Sequence, residues 1–263
     1  PIKTWSSLAE RVIYQARKIR TLEKEDSQNF MLILSQSDLD EFLQKRKSNS
    51  DLIGGLLGTE GSHALDGELK NIERLFNEGF RMMSLQHFFD NKLGGSLHGI
   101  SGNGLTQFGQ EAIQEMLRLG IMIDVSHSSE NVVNDVLNLS DQPILVSHTG
   151  FNGHCPSSRN ISDSLMKEIA KKDGLVAVGF WHAAVCNNTP QSVAEAIQYG
   201  IELIGAKHVA LGSDFDGAVR PGFDTSELVA ITHELLEAGV KESEIRLVMG
   251  ENMLNFLKKN LAD

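Results

Sequence analysis

The stretch "IMIDVSHSSE", Ile121 to Glu130, is a short apolar run that ends in Val-Ser-His and then turns polar. The stretch "PILVSHTG", Pro143 to Gly150, repeats that ending a little further on. Both runs are apolar without alternation, the pattern of strands covered on both faces in a parallel sheet. Four further runs read the same way: "LIGGLLG" (52–58), "FRMMSLQ" (80–86), "LVAVGFW" (175–181) and "HVALGS" (208–213).

Segments of helical period separate them. "LTQFGQEAIQEMLRLG" stops at Gly120; "ISDSLMKEIAKKDG" offers Ser162 as N-cap and Gly174 as terminator; "TSELVAITHELLEAG" offers Thr225 and Gly239. "QSVAEAIQYGIELIGA" and "SEIRLVMGENMLNFLKK" are also helical, and an amphipathic helix from Thr4, "TWSSLAERVIYQARKIRTLEKE", precedes the first strand. Strands alternating with helices imply a parallel α/β fold, either an open doubly wound sheet or a (β/α)8 barrel. No linker-like or low-complexity tract divides residues 1–263, so a single domain is expected.

The polar residues at the strand ends favour the barrel. Glu60, His87, His127, His148 and Asp214 each follow one of the runs. A barrel gathers strand C-termini on one face, whereas an open sheet spreads them along an edge. Singly, each has an ordinary reading as a core histidine, a helix cap or a turn residue. Jointly they suit a metal site: imidazoles and a carboxylate with an open position are ligands for zinc, which lowers the pKa of bound water to about 7. His98 and His154 fall in loops of the same face, without an assigned role.

Composition narrows the function. The chain is 41% hydrophobic and 22% charged, with net charge −11. That balance disfavours nucleic acid, and the short basic run "QKRKS" (44–48) reads as a solvated helix end. No run approaches the roughly 18–20 apolar residues of a membrane-spanning helix. There is no dinucleotide or P-loop fingerprint, no Gly-x-Ser-x-Gly elbow and no Cys-x-x-Cys pair. Two cysteines in 263 residues point to the cytoplasm. The chain opens at Pro1 without a methionine, which points to a segment upstream.

Taken collinearly, Glu60-Gly61, "SLQHFFDNKLGGSLHG", "GLTQFGQEAIQEMLRLGIMIDVSH", "VSHTG", "SSRN" and "GSDFDG" resemble the membrane (renal) dipeptidase family of zinc peptidases, in the amidohydrolase superfamily, and the wording is similar to bacterial members. The resemblance runs from about residue 52 to the C-terminus. It implies that Glu60 bridges two zinc ions and that His127 and His148 bind one of them. It implies that His87 contacts substrate and steadies the oxyanion, that Arg159 holds the substrate's terminal carboxylate, and that Asp214 moves protons. The implied reaction is hydrolysis of a dipeptide, with a D-residue tolerated at the C-terminal position, by a metal-bound hydroxide. A homodimer is implied by the same analogy.

One departure matters. Family members carry His-x-Asp on the first barrel strand, and this chain has none. Aligned so, the sequence begins after strand two, and retains ligands for one zinc rather than two. Two other readings stay open: an amidohydrolase acting on N-acyl amino acids or cyclic amides, and a non-catalytic truncated barrel that binds a ligand or partner. In this frame Cys155 and Cys186 follow neighbouring strands. They lie close enough to bridge in an oxidising compartment, and stay free thiols in the cytoplasm.

Overall fold

The computed structural model describes residues 5–263. Two parallel strands, β1 (Phe30–Leu32) and β2 (Ile53–Gly55), pair with each other. A six-stranded sheet follows in sequence order: β3 (Leu57–Thr59), β4 (Phe80–Ser84), β5 (Met122–Asp124), β6 (Leu145–Thr149), β7 (Leu175–Val178) and β8 (Val209–Leu211). Every pairing in it is parallel. Helices cross over between successive strands, among them Lys70–Asn77, Gln107–Leu119, Glu130–Leu139, Asp163–Lys171 and Pro190–Ile204.

The α/β class read from the sequence is therefore the one found, with refinements. The run expected as one strand over 52–58 is split by Leu56 between two sheets. β1 escaped the sequence reading: three residues are too few to show a period, yet Phe30, Met31 and Leu32 stand in parallel register with Ile53, Gly54 and Gly55. It adds a strand before the first one read. β8 and β1 do not pair with each other among the described residues. The first helix runs Leu8–Glu25, capped by the Ser7 side chain; its expected first residue, Thr4, lies outside the described residues. Asp173 (φ 58°), not Gly174, takes the left-handed position after Asp163–Lys171, and Asp224, not Thr225, accepts the capping hydrogen bond.

The strands have two apolar sides, which explains their unbroken hydrophobicity. Met83, Ile123, Val146, Val176 and Val209 pack outward, in one core with Ile72, Ile113, Met116, Val136, Ile169 and Ile197 of the crossover helices. Each such side chain, fully buried, contributes roughly 1.5–3 kcal/mol. Met122, Leu145, Leu175, Ala177 and Ala210 belong to a second core, with Ile33, Leu39, Phe256 and Leu261. The C-terminal helix Asn252–Asn260 thus closes the inner side, and Gln36 secures it through bonds to the carbonyls of Leu261 (2.8 Å) and Ala262 (3.1 Å). The opposite, C-terminal ends of the strands carry the polar residues.

Cys155 and Cys186 form a disulfide, with 5.5 Å between Cα atoms. It ties the loop after β6 to the loop after β7. Among the described residues, no helix is long and apolar enough to cross a membrane.

Candidate metal centre

Glu60 stands one residue beyond β3. Gly61 turns the chain sharply there at φ 89°, and a Cβ on it would lie 2.5 Å from His63 Nδ1 and 3.1 Å from His87 Cβ. Only glycine allows both the turn and that approach. The Glu60 carboxylate meets three histidines: Oε1 lies 3.0 Å from His127 Nε2 and 3.2 Å from His148 Nε2, and Oε2 lies 3.5 Å from His87 Nε2. The two Nε2 atoms of His127 and His148 are themselves 3.0 Å apart.

The ordering of charge follows from this packing. The hydrogen bond from His127, then the contact with the His148 ring, hold the Glu60 carboxyl far below the usual carboxylate range, against the cost of burial. Burial lowers His127 to about 4, partly offset by its bond to Glu60. The ring is therefore neutral at pH 7. His127 Nδ1 is buried with no hydrogen-bond partner, which leaves the ring's proton on Nε2, between Glu60 Oε1 and His148 Nε2.

A single proton among these atoms is a poor match for them. Glu60 Oε1, His127 Nε2 and His148 Nε2 are mutually 3.0–3.2 Å apart. A tetrahedral ion with ligands at about 2.0–2.1 Å separates its ligand atoms by about 3.3 Å. The three side chains fit one divalent cation. Two overlapping sets, Glu60–His87–His127 and Glu60–His148–Asp214, also have ligand atoms within 4.8 Å of one another.

Asp214 follows β8 at φ 59°, a left-handed backbone that Asp tolerates better than bulky residues do. Burial lifts its carboxyl above the ordinary range, with Glu60 and Asp216 adding and His148 opposing. It borders two cavities. One, about 430 Å3, lies inside the sheet and is lined by Gly58, Met82, Asp124, Ser147, His148 and Gly212 among others. The other, about 460 Å3, opens on the loop side between His87, Phe88, His98, Arg159 and Trp181. The catalytic and metal-binding candidates thus sit between two spaces.

Arg159 is 5% exposed, and burial lowers its guanidinium to about 10. Its two terminal nitrogens bond the carbonyls of Ser126 (2.7 Å) and His148 (2.6 Å). It therefore ties together the ends of the two Val-Ser-His runs, while its edge still borders the outer cavity, 5.4 Å from the Trp181 ring centre. Glu60, His87, His127, His148, Arg159 and Asp214 are all brought to this region. His98 lines the outer cavity too; His154 packs on Tyr199, 5.6 Å away, and lines neither space.

The sequence reading missed Asp124. It is 1% exposed and accepts four hydrogen bonds, from the backbone and side chains of both Ser126 and Ser147. Its signal was a charged residue inside an otherwise apolar run, with a serine before each histidine. Trp181, the last residue of an expected strand, and Phe88, which follows His87, are the aromatic walls of the outer cavity. Asp90 organises that loop by accepting from the amides of Ser96 (2.8 Å), Ile100 (3.1 Å) and Ser101 (3.0 Å).

The chain resembles known proteins over most of its length. A dipeptidase of Aspergillus oryzae is 34% identical over 220 residues, which are 78% of this chain and 51% of that protein. The chain thus spans about half the length of that curated relative. A metallopeptidase from Rhodobacter sphaeroides, solved with a phosphinate mimic of the dipeptide L-Ala-D-Ala, superposes with a TM-score of 0.80 at 25% identity, over 93% of this chain and 73% of that one. An amidohydrolase from Pseudomonas aeruginosa shares the fold, with a TM-score of 0.83 at 24% identity over 98% of this chain and 86% of that one. The family model described as membrane dipeptidase, peptidase family M19, matches residues 5–262. The chain belongs to the membrane dipeptidase family.

Proposed function

We propose that this chain carries the metal centre of a metal-dependent dipeptidase that hydrolyses the peptide bond of dipeptides, including those with a C-terminal D-residue. The observation that carries the reading is the convergence of Glu60, His127 and His148 within 3.0–3.2 Å at the mouth of two cavities. Family membership and the dipeptide mimic held by the Rhodobacter relative support the substrate class. We take the metal to be zinc, on the donor set of two imidazoles and a carboxylate.

Glu60, His127 and His148 would hold the ion. When bound, it supplies Lewis-acid polarisation and an acidified water at neutral pH. The protein's own groups do the rest. His87, half-exposed beside Glu60, donates a hydrogen bond to the carbonyl oxygen as charge develops on it. Asp214, its carboxyl raised by burial, exchanges a proton with the leaving amine. Arg159 has donors beyond the two bonded to backbone, and these reach the substrate carboxylate from the edge of the outer cavity. Phe88 and Trp181 shape the space for substrate side chains.

Residues 1–263 act as one domain in this proposal, and the protein pairs as a homodimer, which sedimentation velocity measures directly. The location is proposed on two opposed observations. The sparse cysteines suit the cytoplasm, and the Cys155–Cys186 bridge supports an oxidising compartment; a thiol count on protein extracted with an alkylating agent separates them. The function is tested with a panel of L-L and L-D dipeptides, N-acyl amino acids and cyclic amides, on protein dialysed against zinc and then assayed for metal. Turnover confined to free-carboxylate dipeptides is expected. Turnover of cyclic amides alone would favour the amidohydrolase alternative, and a metal content of zero would refute the centre.

A further inference from the structure

The two serines of the Val-Ser-His runs do not point away from the metal centre. Ser126 Oγ and Ser147 Oγ each lie 2.6 Å from an oxygen of the buried Asp124 carboxylate. Oδ1 also accepts the amides of Ser126 (3.1 Å) and Ser147 (3.0 Å), whereas Oδ2 meets only the Ser147 hydroxyl. Ser147 Oγ in turn lies 2.9 Å from His148 Nδ1. Its single proton has three takers there, since Ser126 Oγ also lies 2.9 Å away with its own proton held by Asp124 Oδ1, and a carboxylate at 2.6 Å wins it over a neutral hydroxyl or ring nitrogen. Ser147 is then left to accept, so His148 Nδ1 carries the ring proton and Nε2 presents a bare lone pair. That lone pair faces Glu60 Oε1 at 3.2 Å and His127 Nε2 at 3.0 Å.

We infer that Asp124 is a positioning residue which, through Ser147, fixes the His148 tautomer that a cation requires and sets the ends of β5 and β6 at the spacing the two histidines need. The inference rests on the metal-centre reading above and names the part of the chain that prepares it. A carboxylate behind a ligating histidine, directly or through a hydroxyl, raises ligand basicity and fixes ring orientation. Asp124 is suited to do so for both runs at once, because each contributes one amide and one hydroxyl to it.

Asp124→Asn makes the sharpest test. The three donors on Oδ1 keep the amide oxygen on that side, so the amide nitrogen takes the place of Oδ2 and donates to Ser147 Oγ. Ser147 then turns its proton to His148 Nδ1, which drives the ring to the Nε2–H form and blocks the cation. Ser147→Ala removes the relay with little change of volume, and Ser147→Thr keeps it. Long-range 1H–15N spectra of the metal-free chain read the tautomer, and titration with cobalt(II) alone reads the site. Expected are an Nδ1–H ring in the parent and in Ser147→Thr, loss of that form in Asp124→Asn and Ser147→Ala, and cobalt affinity about 10–100-fold weaker in those two variants. If Asp124→Asn does not fold, Ser147→Ala against Ser147→Thr decides alone. An unchanged tautomer and unchanged cobalt affinity in Ser147→Ala would overturn the inference. A parent chain that binds no cobalt refutes the metal centre instead, and the tautomer spectra still decide the relay.

Discussion

Arg159→Lys separates two roles that a single arginine carries at this site. The guanidinium bonds the carbonyls of Ser126 at 2.7 Å and His148 at 2.6 Å with two different nitrogens. The His148 carbonyl lies in the irregular stretch of β6 between Val146 and Thr149, where the pairing with β7 shifts register. Ser126 lies just past the end of β5. Neither carbonyl is reached by water easily, since Ser126 is 0% and His148 8% exposed. Lysine keeps the charge and its desolvation cost but replaces a planar fork with one ammonium, which cannot follow both carbonyls in the same geometry. One charge-assisted bond is lost and one buried acceptor is left unpaired, a cost of about 1.5–3 kcal/mol. In a domain of this size that lowers Tm by roughly 3–12 °C, read by calorimetry. The same variant also changes substrate selection: KM rises for dipeptides and is unmoved for their C-terminal amides. A Tm within about 1 °C of the parent, with KM raised, would show that Arg159 serves substrate alone and that its carbonyl contacts carry no weight.

Other consequences are open to simpler measurements. In the metal-free chain, His127 is lowered to about 4 by burial from 6.5. The unfolded chain therefore takes up that proton first, and stability falls as pH drops from about 6.5 to about 4, by up to about 3 kcal/mol, in denaturant titrations at stepped pH. A midpoint flat across that window contradicts a buried neutral ring. Zinc at about 100 times its Kd adds about 2.7 kcal/mol to the parent, roughly 5–11 °C in Tm; EDTA reverses it, and Glu60→Gln loses most of the shift. The Cys155–Cys186 bridge spans 31 residues. Replacing both by serine costs about 3–4 kcal/mol in the chain-entropy model, and equal stability with and without the bridge would count against it.

The legibility of this chain followed the length of each signal. Six apolar runs and the helices between them gave the parallel order, because both faces of those strands are covered. β1 stayed hidden: three residues hold no period, and its partners Ile53–Gly55 had been merged with β3 into one run. Glu60, His87, His127, His148 and Asp214 were legible from their place at strand ends. Arg159 became a candidate only through a family resemblance, which could not show that it bonds backbone.

By itself, then, the sequence determined the class of fold and the residues that meet at one end of the sheet, because hydrophobic periodicity and strand ends are local properties. The tertiary structure alone decided how they meet. Ser147 and His148 are neighbours on a strand and would ordinarily face opposite sides. The irregularity between Val146 and Thr149 lets both line the inner cavity. That turn places a hydroxyl behind His148 and brings Asp124 within reach of two strands whose sequences are more than twenty residues apart. Such a contact is set by register between strands, which no stretch of either one encodes.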